Sequence, residues 1–289
     1  MKEIILFELR FRLRQPSTYI FAAVLFTLGL LFVSTDVIQI GGGSGRIMGN
    51  APYVIVVAGN ILTLLGAIIA SSLMGTAIYR DFEANAHELF FTTRLTKRDY
   101  FIGRFIGAFI VTLAVFSFIP LGFLAGIVAP WADKTNFGPF RAESYLTYLG
   151  AFMIPNLFLL GTLFFVFGAL TRSLLAIYVQ GIIVLVGYLM AQGLLSSLEN
   201  KNLAAYLDPL GIGATALTTR YWTLAEKNTN LLPMTGPLLY NRLLWTGITV
   251  GVFVLGYRLF EFSKFALALP KVRRSQTGQS SGPASADVA

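Results

Sequence analysis

Residues 105–132 read FIGAFIVTLAVFSFIPLGFLAGIVAPWA, and none of these 28 positions carries a charge. A helix needs roughly 20 apolar residues to cross a bilayer, because each residue adds only about 1.5 Å to its length. Other long uncharged stretches hold 21 to 33 residues: 15–35, 47–79, 144–171 and 173–198. A shorter apolar stretch runs from Leu243 to Phe260. The sequence therefore predicts an all-α fold, a polytopic membrane helical bundle with six transmembrane spans.

The composition points to the same class of protein. Only 12% of the residues are charged, 55% are hydrophobic and the mean hydropathy is +0.70, whereas about a quarter of the residues are charged in ordinary soluble domains. The chain has no cysteine, which excludes thiolate metal sites, disulfides and cysteine nucleophiles. We interpret the net charge of +8 as a signature of membrane topology, so the expected surroundings are a lipid bilayer and no nucleic acid partner.

The distribution of basic residues predicts the orientation. If the N-terminus is cytoplasmic and six spans follow, 15 of the 22 Lys and Arg residues lie in cytoplasmic segments and 7 lie outside. Positive charge collects in short loops on the cytoplasmic side of a membrane. Both termini are therefore predicted to be cytoplasmic, in a multi-pass protein of the cell (inner) membrane.

Three regions are expected along the chain. Residues 1–16 form a basic interfacial lead-in helix, although the strict polar–apolar alternation from Glu8 to Arg14 taken alone would indicate a strand. Its Lys and Arg side chains are expected to extend toward lipid phosphates. Residues 17–270 hold the six spans. Residues 271–289 are rich in Ser, Gly and Gln and predict a disordered cytoplasmic tail.

The expected spans are 17–35, 52–79, 100–128, 146–170, the interval between Arg172 and Glu199, and 243–260. Span two is over-long, which predicts a tilt or a break near Gly59 or Gly66. Pro120 and Pro155 predict kinks in spans three and four. Asn60 is interpreted as an isolated polar residue with a backbone partner, with an interhelical hydrogen bond as the alternative.

Two further patterns concern helix contacts and the long segment 196–240. Small-residue spacings occur at Gly103-x-x-x-Gly107, Gly122-x-x-x-Gly126 and Gly247-x-x-x-Gly251. They permit close helix approach, but glycine is common in membrane helices, so each spacing alone is poor evidence for a dimer face. Within 196–240, short interfacial helices are expected at 203–207 and 210–224.

The sequence gives no support for catalysis. His87, the single histidine, is followed by Glu88 but has no second histidine four residues on, as a zinc protease helix requires. The glycine run at 41–45 lacks the Lys-Ser/Thr end of a nucleotide-binding loop. We therefore expect no enzyme activity, no catalytic residue, no metal and no cofactor.

The segment between spans two and three is the remaining feature. Residues 79–100 concentrate both signs of charge with the aromatic residues Phe82, Phe90, Phe91 and Tyr100. From these residues alone, an ordinary solvated loop is an equally good interpretation.

Several stretches resemble the permease subunits of type 2 ABC exporters: FELR at 7–10 ahead of QP at 15–16, RDFE at 80–83, ELFFTT at 88–93 and KRDY at 97–100. Others resemble, more narrowly, bacterial permeases fused to a zinc aminopeptidase: NAPY at 50–53, GALTR at 168–172, LDP at 207–209 and YWTLAEKNT at 221–229. The resemblance covers about residues 1–265. Because no second permease unit or peptidase follows, we expect a half-size relative or a fragment.

The resemblance implies that 17–270 is the permease domain of an ATP-driven exporter. It also implies two kinds of partner, a separate cytoplasmic ATPase subunit and a second permease copy or sister permease. The implied ATPase-coupling segment comprises Arg80, Asp81, Phe82, Glu83, His87, Glu88, Leu89, Phe90, Phe91, Arg94, Lys97 and Arg98. The alternatives are a non-transporting membrane anchor or assembly subunit, and a polytopic membrane enzyme.

Overall fold

The computed structural model describes residues 1–35, 47–83, 96–197 and 199–260, and all regular structure in these ranges is helical. The helices are α1 (Lys2–Leu13), α2 (Pro16–Ser34), α3 (Pro52–Leu65), α4 (Ala67–Glu83), α5 (Lys97–Phe116), α6 (Phe118–Val128), α7 (Ala142–Thr147), α8 (Ile154–Thr171), α9 (Leu174–Ser197), α10 (Lys201–Leu207), α11 (Ile212–Thr218), α12 (Leu224–Thr229) and α13 (Gly236–Leu259), with a 3-10 turn at Lys134–Asn136 and a π-helical turn at Tyr148–Met153. Five helical stretches are long and apolar enough to cross a membrane, or six if α3 and α4 count as one bent span. The all-α prediction is confirmed for the described part of the chain, and these long apolar helices fit the prediction of a multi-pass membrane protein.

Proline marks the start of four of these helices. Pro16, Pro52, Pro155 and Pro237 lie in the first turns of α2, α3, α8 and α13. The first turn tolerates proline because its N–H groups have no partner within the helix. Helix α13 begins seven residues before the predicted start of span six at Leu243. The predicted span left out residues 236–242 because Arg242 interrupts the apolar sequence. In the structure this arginine is buried and hydrogen-bonded within the helix bundle.

Two spans are interrupted where the sequence indicated. Helices α3 and α4 meet at Gly66 with a bend of 53°, so of the two predicted positions it is Gly66 that bends. A side chain there would clash with the Phe116 ring, whose Cε1 lies 2.6 Å from the position that a Cβ would take. The other interruption lies at Ser117, between α5 and α6. Pro120 follows within one turn and has no N–H to donate to the preceding turn.

A wide turn interrupts the fourth span just before Pro155. Residues Tyr148–Met153 form the π-helical turn between α7 and α8. The Tyr148 hydroxyl lies 2.9 Å from Thr63 Oγ1 and donates to Gly59 O at 3.1 Å. The wider turn therefore ties the fourth span to the second span beside its bend.

Glycine lets three pairs of helices approach closely. Gly29 of α2 lies against Ile119 of α6, Gly168 of α8 lies against Gly75 of α4, and Gly107 of α5 lies against Glu8 of α1. In contrast, a Cβ added at Gly247 or Gly251 of α13 would have no described atom within 4 Å. Of the three small-residue spacings, the two in the third span thus serve packing within the chain.

The expected helix at 210–224 is wrong in its extent. Helix α11 ends at Thr218, and α12 begins after Thr223. The Thr223 hydroxyl accepts from Glu226 N while the Glu226 carboxylate accepts from Thr223 N. This reciprocal capping box starts a new helix, which divides the predicted segment in two.

The bundle has two distinct ends. At the first, called the cluster end, Met1 N lies 3.5 Å from Asp99 Oδ1, and the rings of Tyr100 and Phe260 stack. At the second, called the loop end, Met48 N donates to Asn228 Oδ1. The N-terminal helix and the end of α13 therefore lie at the same end of the bundle, and the cytoplasmic placement of that end stays a prediction. The expected tail at 271–289 lies outside the described residues.

Candidate functional site

Side chains from three helices meet in a buried group at the cluster end, called the charged cluster. Its members are Glu8 and Arg12 of α1, Arg80 and Asp81 of α4, and Tyr100 and Arg104 of α5. Three arginines and two carboxylates give it a formal charge of +1. Glu8 is 0% exposed and Arg104 is 1% exposed. Such burial requires each charge to find partners, because removing an ion from water costs several kcal/mol.

Glu8 is the centre of the cluster. Its Oε1 accepts from Arg12 Nε at 2.5 Å, and its Oε2 accepts from Arg80 Nη2 and Arg104 Nη1, each at 2.6 Å. Burial alone would raise the pKa of Glu8, but the guanidinium groups of these three arginines hold it below the ordinary value. Burial lowers the pKa of Arg12, and the Glu8 carboxylate opposes that change. Glu8 is therefore a buried carboxylate that stays ionised.

Arg104 joins the two acids of the cluster. It donates through Nη1 to Glu8 and through Nη2 to Asp81 Oδ1 at 2.7 Å. The Tyr100 hydroxyl donates to Asp81 Oδ2 at 2.7 Å. One guanidinium thus connects the N-terminal helix with the last turns of α4 and the first turns of α5.

Two aromatic rings of α1 lie over the cationic side of the cluster. The Arg80 guanidinium lies 3.7 Å from the centroid of the Phe11 ring, and that of Arg104 lies 5.0 Å from the centroid of Phe7. Cation–π contacts of this kind gain strength when water is excluded. The N-terminal helix therefore contributes an acid and two ring faces to the same site.

The expectation that the basic residues of α1 extend to lipid phosphates is wrong for Arg12. Its side chain is 2% exposed and bonds to Glu8, whereas Arg10 and Arg14 are exposed. The alternation of polar and apolar residues from Glu8 to Arg14 is typical of a strand, but the segment is helical up to Leu13. The helix places Glu8 and Arg12, four residues apart, on one face, where their ion pair stabilises it.

The structure brings together only some of the predicted coupling residues. Arg80 and Asp81 belong to the charged cluster, while Glu83 and Arg98 are exposed. Lys97 Nζ lies 3.4 Å from Arg258 O and 4.8 Å from the centre of the Tyr257 ring. The remaining predicted residues lie outside the described residues: His87, Glu88, Leu89, Phe90, Phe91 and Arg94, together with the side chain of Phe82.

Sequence reasoning missed four members of the cluster as site residues: Glu8, Arg12, Tyr100 and Arg104. The i, i+4 spacing of Glu8 and Arg12 was a usable signal for a pair on one helix face. Arg104 follows Gly103 at the apolar start of span three, where an unpaired charge would be costly. Neither signal identifies the partner, because the contacts join residues 72 and 96 positions apart.

A second polar group lies between the spans at the loop end. Asn156 Nδ2 donates to Asn60 Oδ1 at 2.9 Å, and Arg242 Nη1 donates to Asn156 Oδ1 at 2.7 Å. Arg242 also donates through Nε and Nη2 to Asn241 Oδ1. Asn60 thus takes part in an interhelical hydrogen bond, but as the acceptor and not as the donor that the alternative interpretation of the sequence expected.

Asp208 fixes the turn between α10 and α11 to that polar group. Its carboxylate accepts from the Tyr188 hydroxyl at 2.9 Å, from Leu210 N at 3.1 Å and from Gly213 N. Asn241 Nδ2 donates to Asp208 O at 2.8 Å. Both carboxylate oxygens are therefore occupied by donors of the chain itself.

Neither polar group has the composition of a metal centre. Within the ranges that the structure describes, there is no cluster of three or more His, Asp or Glu side chains that could hold a metal ion. No protein-family model matches the chain, and a search of curated proteins finds no significant match. The geometry of the two polar groups is therefore the basis for the functional argument.

Proposed function

We propose that this chain is the membrane-spanning permease subunit of an ATP-driven ABC exporter. It forms the translocation path in the cell (inner) membrane and has no catalytic activity of its own. It couples to a separate cytoplasmic ATPase subunit through residues 80–99 and pairs with a second copy or a sister permease. The resemblance of several short motifs to type 2 ABC permeases is one support for this proposal.

The charged cluster is the observation that carries the proposal. Arg80 and Asp81 are the first residues of the expected coupling segment, Tyr100 and Arg104 follow its end, and Glu8 binds both sides through Arg80 and Arg104. Because these charges are buried and mutually paired, separating any one helix would leave an unpaired ion. A force applied to the segment by an ATPase would therefore move α1, α4 and α5 together.

This unit is suited to transmit a conformational change. Alternating access requires elements that move as rigid bodies about defined hinges. Helix α4 continues from the cluster to the bend at Gly66. A displacement at the cluster end therefore reaches the Asn60 and Asn156 contact beyond that bend. In this mechanism Lys97 and Arg98 provide basic contacts to the ATPase at the start of α5.

The test is purification of the full chain from membranes of its native host in a mild detergent. We expect an ATPase subunit with a nucleotide-binding loop to copurify, and ATP hydrolysis by the complex to depend on this chain. The chain alone, purified after recombinant expression, should hydrolyse no ATP. Glu88→Lys in the expected coupling segment should reduce recovery of the ATPase, whereas Lys134→Gln at the loop end should not.

Different results separate the alternatives. ATP hydrolysis by the isolated chain, in a preparation free of other ATPases, would contradict the permease assignment and favour a membrane enzyme. A copurifying complex without an ATPase would favour a non-transporting anchor or assembly subunit. Unchanged recovery of the ATPase with Glu88→Lys and with a matched Phe90→Ala variant would refute coupling through this segment.

A further inference from the structure

A cavity of about 380 Å³ opens at the loop end beside the last turns of α9. Helices α10 and α11 form its walls, and its apolar lining comes mainly from Ala204, Ala205, Ala216 and Leu217. Its volume falls in the range of small-molecule binding sites, about 300 to 1,000 Å³. The proposed coupling mechanism does not use this cavity.

The charges of the cavity favour an anion. Lys201 and Arg220 line it, and both are exposed to the surroundings. Asp208 also lines it, but its two carboxylate oxygens already accept from Tyr188, Leu210 N and Gly213 N. The ionic side chains that line the cavity therefore carry a formal charge of +1, because Lys201 and Arg220 outnumber the one acid.

The inner wall offers a donor for an oxygen atom. Nε2 of Gln192 is buried and makes no hydrogen bond of ordinary geometry to a described residue, although the Gln192 side chain interacts with the Tyr188 hydroxyl, and Gln192 lines the cavity. A buried amide N–H that lacks such a bond destabilises the protein, because it has lost its hydrogen bond to water. A ligand oxygen that accepts from Gln192 would remove this cost. Lys201, Arg220 and the Gln192 amide therefore lie beside an apolar wall. This lining suits a ligand that has an anionic group attached to an apolar part.

The position of the cavity indicates where that ligand comes from. The uncharged stretch that contains α9 ends before Glu199, so Lys201 lies just beyond the point where this span leaves the hydrocarbon layer, and Gln192 lies within its last turns. Leu203 and Leu207 of α10 are each 47% exposed, and the rings of Tyr206 and Tyr240 pack edge to face. Exposed leucines and a tyrosine pair are typical of the headgroup zone. Lipid phosphates lie at the same depth.

We propose that this cavity binds the headgroup of an anionic phospholipid. Lys201 and Arg220 contact its phosphate, Gln192 donates to an oxygen of the headgroup, and the alanine-lined wall takes the glycerol and first methylene groups. The site would exist whether or not the chain pairs with an ATPase. It would tie α10 and α11 to the bilayer surface.

The test measures binding of short-chain phosphatidylglycerol to the purified full chain in neutral detergent, by native mass spectrometry. Each basic residue near a lipid surface contributes about a five-fold change in affinity. We expect Lys201→Gln and Arg220→Gln each to weaken binding about five-fold and the double variant about 30-fold. Lys227→Gln, at the same end but outside the cavity lining, is the matched control and should bind as the wild type does.

A third variant tests the cavity without removing a charge. Ala216→Trp fills it from an exposed position on α11 and should weaken binding by about ten-fold or more, since the headgroup loses its space. Unchanged elution in size-exclusion chromatography and an unchanged melting midpoint show that each variant is folded. If the double variant fails to fold, Ala216→Trp alone decides the question.

Two further binding measurements, with a neutral lipid and with free phosphate, identify the ligand class. Short-chain phosphatidylcholine should bind about ten-fold more weakly than phosphatidylglycerol, because it lacks net charge. Equal binding of the two lipids, or wild-type affinity in both the double variant and Ala216→Trp, would overturn the proposal. Full displacement of phosphatidylglycerol by millimolar inorganic phosphate would also overturn it, since the site would then take the free ion.

Discussion

At the scale of single residues, Glu8 holds the most consequential position in the described structure. It is a fully buried carboxylate that accepts from three arginines. The sequence alone placed Glu8 on a basic lead-in helix, but its pairing with Arg12, four residues on, was not predicted. Its burial could not be predicted, because it depends on Arg80 and Arg104, which only the packing of α1 against two later helices brings near.

Replacing Glu8 with glutamine should destabilise the protein strongly. Glu8→Gln keeps the shape but leaves three guanidinium groups, the buried Arg12 and Arg104 and the half-buried Arg80, with one carboxylate, Asp81. Removing one partner of a buried ion pair costs about 3 to 5 kcal/mol. The check is the thermal midpoint in detergent, followed by tryptophan fluorescence.

Two controls separate this effect from the loss of any acid in α1. Glu3→Gln removes an exposed carboxylate and should leave the midpoint within experimental error. Adding Arg12→Met to Glu8→Gln should recover part of the loss, because one unpaired cation is then removed. A midpoint for Glu8→Gln equal to that of Glu3→Gln would refute the role given to the cluster.

The stability should also depend on pH through Glu8. Its pKa in the folded protein lies below the ordinary value of 4.5, so its stabilising effect is present above about pH 4.5 and is lost as the pH falls through the lowered pKa. The difference in thermal midpoint between wild type and Glu8→Gln should therefore shrink between about pH 6 and pH 3. A difference that stays constant over that range would show that the pKa of Glu8 is the same in the folded and unfolded protein, which would contradict its ion pairs with the three arginines.

At the scale of helices, close approach through glycine decides which elements pack together. The third span uses Gly103 and Gly107 against α1, and Gly122 against α2. The positions of the spans followed from uncharged length, since that signal depends only on local sequence. The π-helical turn and the separate helix α12 did not follow, because they depend on Pro155 in its packed context and on a two-residue cap.

A leucine at Gly107 should displace the N-terminal helix. A Cβ there would lie 2.6 Å from the Glu8 Cβ, so Gly107→Leu would push α1 away and break the cluster. Overpacking of this kind costs about 1 to 3 kcal/mol, and here the loss of ion pairs adds to it. The thermal midpoint should fall clearly.

The matched control is Gly251→Leu, which introduces the same side chain in the same kind of spacing. A Cβ at Gly251 would have no described atom within 4 Å, so the variant should keep the wild-type midpoint. Equal midpoints for Gly107→Leu and wild type would show that α1 does not rest on α5 as described.

At the scale of the whole molecule, the two ends of the bundle differ in chemistry. The cluster end carries ion pairs made by long-range contacts, whereas the loop end carries amides, one buried arginine and short interfacial helices. The excess of basic residues in alternate loops predicted that one end faces the cytoplasm. The structure adds that α1 and the end of α13 share the cluster end.

Labelling of introduced cysteines should establish the orientation. Because the chain has no native cysteine, Arg98→Cys and Ala225→Cys, both at exposed positions, can be modified without background. In sealed cells, a membrane-impermeant maleimide should label position 225 and should label position 98 only after permeabilisation. External labelling of position 98 in intact cells would invert the predicted topology.

The charged cluster also sets the order in which the chain can be completed during synthesis. Two of the three arginines that contact Glu8 are encoded 72 and 96 residues later. The first helix therefore emerges from the ribosome long before its partners exist, and its carboxylate stays hydrated on the membrane surface. Helix α1 can pack in its final position only after the third apolar span, which carries Arg104, has left the translocon. The earliest residues to be made are thus among the last to reach their final place, and a ribosome that stalls before Arg104 would leave an N-terminal segment open to quality-control proteases.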